Sequence, residues 1–264
     1  MNTEQLAEAF RSYRTAMEAK PPFDPAPYHW ENAPERIGLE GMAYNWVLDT
    51  HTTRLANEIN QFAAGTRRME TWGEVLQGYE LQDRMALLVE FINPLAIMVL
   101  SFPAAIKGRF IFSSTHLCHL ANRIELGWKD DLEPDHMIGL RSLKCRARKW
   151  NASSSLIDHL AAINDDGFRK DSRQFRNRFH HRDAPRLEVG VEATMTRIES
   201  RPGRMMHAFG IAQPIQISDV IPSLQSQHKA CLNAFKAFQC LVWEQLGVIS
   251  QTGKIEDDRT DEQE

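Results

Sequence analysis

Residues 175–185 read FRNRFHHRDAP, and within them Arg176, Asn177, His180 and His181 gather a permanent cation, an amide and two imidazoles. Such a set can act on a phosphodiester. Histidine titrates near neutral pH and so moves protons, while the arginine fork matches phosphate oxygens and stays charged. RNA can be cut without a metal when its 2′-hydroxyl attacks the adjacent phosphate, which needs a proton carrier and a cation to stabilise the extra charge at phosphorus. On a helix, Arg176 and His181 stand about 140° and about 7.5 Å apart, so they can flank a phosphate without touching each other. Asn177, one turn before His181, can hydrogen-bond and orient its ring. His180 is either an auxiliary phosphate contact or a surface histidine.

The element expected to position these groups is a single helix over residues 168–182. On a helical wheel Phe168, Phe175 and Phe179 fall within about 40° of one another and form a core-facing stripe. The opposite arc holds Arg169, Lys170, Arg173, Arg176, Asn177, His180 and His181, of which Arg169, Lys170, Arg173 and His180 are the expected RNA contacts. Arg173 with His180 is an alternative pairing at looser spacing. Charge points the same way: residues 141–182 hold eleven lysines and arginines against four acids, a net +7 in a chain whose total is −4, so the remainder carries −11. That polarisation suits a polyanion bound at a local patch, although a basic helical face also serves simply to keep a helix solvated.

At Arg176-Asn177-Arg178-Phe179-His180-His181 the sequence resembles the R-N-x-x-x-H signature of HEPN domains (higher eukaryotes and prokaryotes nucleotide-binding). The resemblance implies a helical bundle, often a homodimer, acting as a metal-independent endoribonuclease without a cofactor. Arg176 and His181 would be the catalytic pair and Asn177 the polar residue after the arginine. It also implies a motif on a late helix followed by the last long helix, and a setting in defence, as a toxin paired with an antitoxin or regulatory protein, or in RNA processing. Some members of the family bind RNA, nucleotides or partner proteins without cutting, which is the alternative reading of the same face. A third is a helical interaction protein whose basic face only solubilises it.

The rest of the chain supplies the scaffold. Three-and-four spacing predicts helices at 39–64 (Leu39, Met42, Ala43, Trp46, Val47, Leu55, Ile59, Phe62) with Gly65 as a stop, at 79–101 broken at Pro94, and at 108–126 closed by Gly127. Further helices are expected at 154–163 and, along a seam of Ile221, Leu224, His228, Cys231, Phe235, Phe238 and Val242, at 219–246 before Gly247. Residues 187–212 alternate as strands around Arg201-Pro202-Gly203-Arg204, predicting a β-hairpin inserted before the last long helix. The expected architecture is therefore a mainly helical bundle with an inserted hairpin, one domain over 36–250. It follows an N-terminal helix and proline-rich link (1–35) and precedes an acidic tail (251–264) without structure.

Several classes find no support. The run LLVEFINPLAIMVLSFPAAI (87–106) approaches membrane-spanning length, but Glu90, Asn93, Pro94 and Pro103 interrupt it, so a buried core helix is expected and no membrane partner. The first residues carry no secretory pattern, which predicts a cytoplasmic location. Cys118, Cys145, Cys231 and Cys240 stand apart and are expected to be reduced and buried. His116-x-x-His119, and the acids of KDDLEPDH (129–136) with His136, could suggest a cation site, but a solvated loop and structural histidines account for them, so no metal is expected. There is no phosphate-binding glycine loop, nucleophile elbow or zinc-protease motif.

Overall fold

A computed structural model describes residues 1–28, 39–126 and 129–261. These are mainly helical, with a β-hairpin ahead of the last long helix, as the periodicity predicts. The helices are α1 (Thr3–Ala19), α2 (Leu39–Leu76), α3 (Leu81–Leu87), α4 (Asn93–Leu126), α5 (Leu140–Arg146), α6 (Ser153–Ala162), α7 (Asp166–Asp171), α8 (Phe175–His181) and α9 (Ile217–Asp261). The strands are β1 (Glu192–Arg201) and β2 (Arg204–Ala212), antiparallel, with Gly203 at φ 77 in the turn. The expected domain start at residue 36 and the stop at Gly127 lie outside the described residues.

Two compact units emerge, and each of α2, α4 and α9 is divided between them. The first comprises Met1–Phe23, Ala64–Ser101 and Asp166–Ser226. Here α1 opens with a capping box between Asn2 and Gln5, and Tyr13 stacks on Trp72, which stacks on Phe91 (centroids 4.4 and 4.7 Å). The second comprises Asp24–Ala63, Phe102–Asp165 and Gln227–Glu264, with Phe62, Phe110, Phe235 and Phe238 at its core. The α9 seam is buried at Ile221, Leu224, Cys231, Phe235, Phe238 and Val242.

The glycines and prolines expected to end helices mostly do other work. Gly65 lies inside α2, where a Cβ would come within 2.7 Å of Val99 Cγ2, so the residue permits close helix packing. The helices expected at 79–101 and 108–126 are interrupted earlier, by a π-helical turn at Leu88–Ile92, after which α4 runs unbroken through Pro103 and Gly108. Pro94 follows the π-helical turn directly, and the helix continues through it. Leu81–Ile124 is long and apolar enough to cross a membrane by length and composition, with 33% of its most apolar window buried. Backbone helix also continues past Gly247 to Asp261, into the stretch expected to lack structure; between Gly253 and Asp261 that stretch holds charged and polar residues with no proline. Met42 and Trp46, on the apolar spacing of α2, are 61% and 74% exposed. Of the cysteines only Cys118 and Cys231 are buried; Cys145 and Cys240 are exposed.

Candidate functional site

The single helix expected over 168–182 is two short ones. Residue Arg173 takes left-handed backbone (φ 50) and Gln174 follows it (φ 54). The Arg173 N–H donates to the Lys170 carbonyl and the Gln174 N–H to the Arg169 carbonyl, at 3.0 and 2.7 Å. That pair of bonds closes the C-terminus of α7 in a Schellman arrangement, and a new helix starts at Phe175. Arg169 and Lys170 therefore belong to a different helix from Arg176 and His181, and the continuous basic face does not form.

Within α8 the side chains divide by angle. Phe175 is buried at 3% exposure, whereas Phe179, expected in the core, is 37% exposed and stacks on it with centroids 6.2 Å apart. Arg178 reaches the Glu192 carboxylate at the start of β1 and so ties the helix to the hairpin. Arg176, Asn177, His180 and His181 occupy the remaining arc of about 140° and are exposed. Among the described residues, Arg176, Asn177 and His181 have no hydrogen-bonded or ionic protein partner, and Asn177 does not hold the His181 ring. His180 stands edge-on to Phe179 (5.3 Å) and 6.5 Å from the His181 ring.

Some of the neighbouring cations are engaged. Arg169 pairs with Asp166, and Arg173 donates to the Gln213 carbonyl. Lys170 is exposed. The basic run of 141–182 also crosses from one unit to the other at residue 165, so its charges do not make one patch of a single unit. Beside α8 opens an apolar groove of about 280 Å³ walled by Met85, Val89, Phe175, Phe179, Pro185 and Leu187. A more polar cleft joins Phe179, Arg182 and Arg186 to Val191 and Glu192 at the base of the hairpin.

The two weaker sequence features meet in the second unit around a residue not singled out for them. Arg146, 6% exposed, donates from Nη1 to Asp131 Oδ1 (2.7 Å) and to His119 Nδ1 (3.2 Å), and from Nη2 to the Asp131 carbonyl and Glu133. Arginine has no acceptor, so His119 Nδ1 accepts and Nε2 carries the proton donated to Asp130 Oδ1 at 3.0 Å. The hydrogen bond from Arg146 holds the Asp131 carboxyl below its usual range, and that of Glu133 is held low first by a hydrogen bond to its own backbone and then by Arg146. Buried beside this loop, His51 faces His116 edge-on at 5.8 Å. The arrangement is a clamp that fastens the 130–133 loop to α4 and α5, and among the described residues no group of three His, Cys, Asp or Glu could hold a metal ion.

Set beside known proteins, the chain matches no family model, no curated protein and no solved structure.

Proposed function

We propose that the chain is a cytoplasmic, metal-independent endoribonuclease of HEPN type, with His181 as proton carrier, Arg176 as the cation at phosphorus and Asn177 beside them. The observation that carries this reading is the solvent-facing arc of α8. Among the described residues Arg176, Asn177 and His181 share it without hydrogen-bonded or ionic protein partners, although Arg169, Arg173 and Arg178 around them are engaged. In the reaction the 2′-oxygen bonds to phosphorus as the bond to the 5′-oxygen breaks. The 2′-hydroxyl proton passes to the His181 imidazole, and the leaving oxygen takes a proton from a second imidazole. One chain offers His180 for that second role; a homodimer offers the other His181. His180 and Lys170 are free to meet the RNA backbone, whereas Arg169 and Arg173 must leave their present partners to do so. Such an enzyme fits defence, toxin or RNA-processing roles, with an antitoxin or regulator as a protein partner.

A second reading has its own support. Among the described residues the α8 arc is exposed to water, which suits a module that binds RNA, nucleotide or a partner without cutting. Incubating the protein with single-stranded and structured RNA in EDTA separates the two. For the enzyme, wild type cleaves, while Arg176→Ala and His181→Ala each lose at least about 100-fold in rate and still bind. Tight binding with no cleavage by wild type in any condition selects the second reading.

A further inference from the structure

The β1–β2 hairpin turns its large apolar side chains to solvent. Its register pairs Ala193 with Ile211, Met195 with Phe209 and Arg197 with His207, and directly opposed residues of an antiparallel pair lie on one face. Val191 and Met205 sit on that same face by alternation. Val191, Met195, Phe209, Ile211 and Met205 are 56%, 64%, 81%, 72% and 44% exposed. The other face carries Glu192, Thr194, Ala208 and Ala212, the half-buried positions, near its base, and Ile198 paired with Met206, 46% and 48% exposed, towards the turn. A strand pair packed on its own chain normally shows the reverse.

Area argues for what covers it. Side chains of this size expose roughly 150–200 Å² when free, so Val191, Met195, Phe209 and Ile211 together present on the order of 500 Å² of contiguous apolar surface, with Met205 set apart beyond Arg197 and His207. That is towards the top of what a typical monomer leaves exposed, about 300–600 Å². Two such faces together remove about 1,000 Å², which reaches the threshold of a specific interface. An isolated two-stranded hairpin is also marginal in water, and stacking a second pair on it turns one wet sheet face into the inside of a sandwich. The centre of the face, Ala193, Met195, Phe209 and Ile211, carries no charge, and Arg197 and His207 lie beyond it towards the turn, which favours an apolar partner over a polyanion.

We infer that the occupant is the same hairpin of a second copy, the two packing apolar face to apolar face about a two-fold axis. The arrangement is isologous, so one patch serves both chains. Because Arg178 ties α8 to β1, pairing the hairpins also brings two α8 helices into one assembly. That last consequence rests on the ribonuclease reading; the interface itself does not.

Sedimentation velocity on the full chain at micromolar concentrations tests it, beside Phe209→Glu and Met195→Glu, one substitution on each strand. Wild type is expected to be a dimer, and each variant to associate on the order of a hundredfold more weakly while keeping its circular dichroism and melting temperature. Arg176→Ala is expected to stay dimeric. A dimer that never cuts RNA keeps this interface and defeats only the ribonuclease reading. A monomeric wild type overturns the interface, as does a dimer indifferent to both glutamates. So does a wild type that stays monomeric and binds lipid vesicles or RNA through Phe209.

Discussion

Gln174 holds left-handed backbone at the start of α8 without making a side-chain cap. For a residue other than glycine that conformation costs roughly 1–2 kcal/mol, and asparagine, whose short amide bonds locally, bears it with least strain. Gln174→Asn is therefore expected to raise the unfolding free energy by up to about 1 kcal/mol in urea titration, while Gln174→Val should lower it. Arg146 is the opposite case, a side chain both of whose terminal amino groups are hydrogen-bonded. Replacing it with alanine strands His119 Nδ1 and releases Asp131 and Glu133, a loss of about 2–3 kcal/mol given that both carboxylates are partly wet. Lysine should recover little of it, because one ammonium cannot reach His119, two carboxylates and a carbonyl in the geometry of a planar fork.

An ion pair links α8 to the hairpin, Arg178 with Glu192. Arg178→Glu should loosen the base of β1, seen as faster amide exchange there at a stability cost of about 1 kcal/mol, and Arg178→Glu with Glu192→Arg should restore protection. What was legible in the sequence follows the same scale. The hairpin was, because alternation and Pro202-Gly203 are both local signals, and so was the seam of α9, whose period is that of a helix packed on a core. The α7–α8 break was not. Ser172-Arg173-Gln174 contains no glycine, proline or asparagine, so the phenylalanine spacing ran from Phe168 to Phe175 as though one helix continued, whereas only Phe175 and Phe179 share a helix. The Arg146 clamp was invisible for another reason. His119, Asp130, Asp131, Glu133 and Arg146 are brought together by the path of a loop, and no residue spacing encodes that path.

At the scale of the whole chain, acid should be the main destabilising condition. Burial lowers the proton affinity of His51, His116 and His228, and for His51 the neighbouring His116, Arg54 and Arg109 add to it, bringing its pKa to about 4. Unfolded, the same ring takes a proton near 6.5, so between those two values the unfolded state binds more protons than the folded one and stability falls as pH is lowered. A gap of that size is worth about 3 kcal/mol for a ring only 6% exposed. Further down, the carboxylates of Asp131 and Glu133, held low by Arg146, are protonated and the clamp is lost in the same direction. At the other end, buried Cys118, with its thiol pushed up to about 12, and buried Tyr44 must stay neutral in the folded chain, so stability should decline again once thiols and phenols ionise in the unfolded state, from about pH 9. Melting temperature measured across pH should thus show a plateau from about 6.5 to 9 with a fall on each side. His51→Leu isolates the main contribution: it removes the titrating ring from a site where, among the described residues, Nδ1 has no hydrogen-bond partner, and it should flatten the fall between pH 6.5 and 4 while leaving the alkaline limb unchanged. An acid limb as steep in His51→Leu as in wild type would locate the sensitivity elsewhere, with His116 the next to replace.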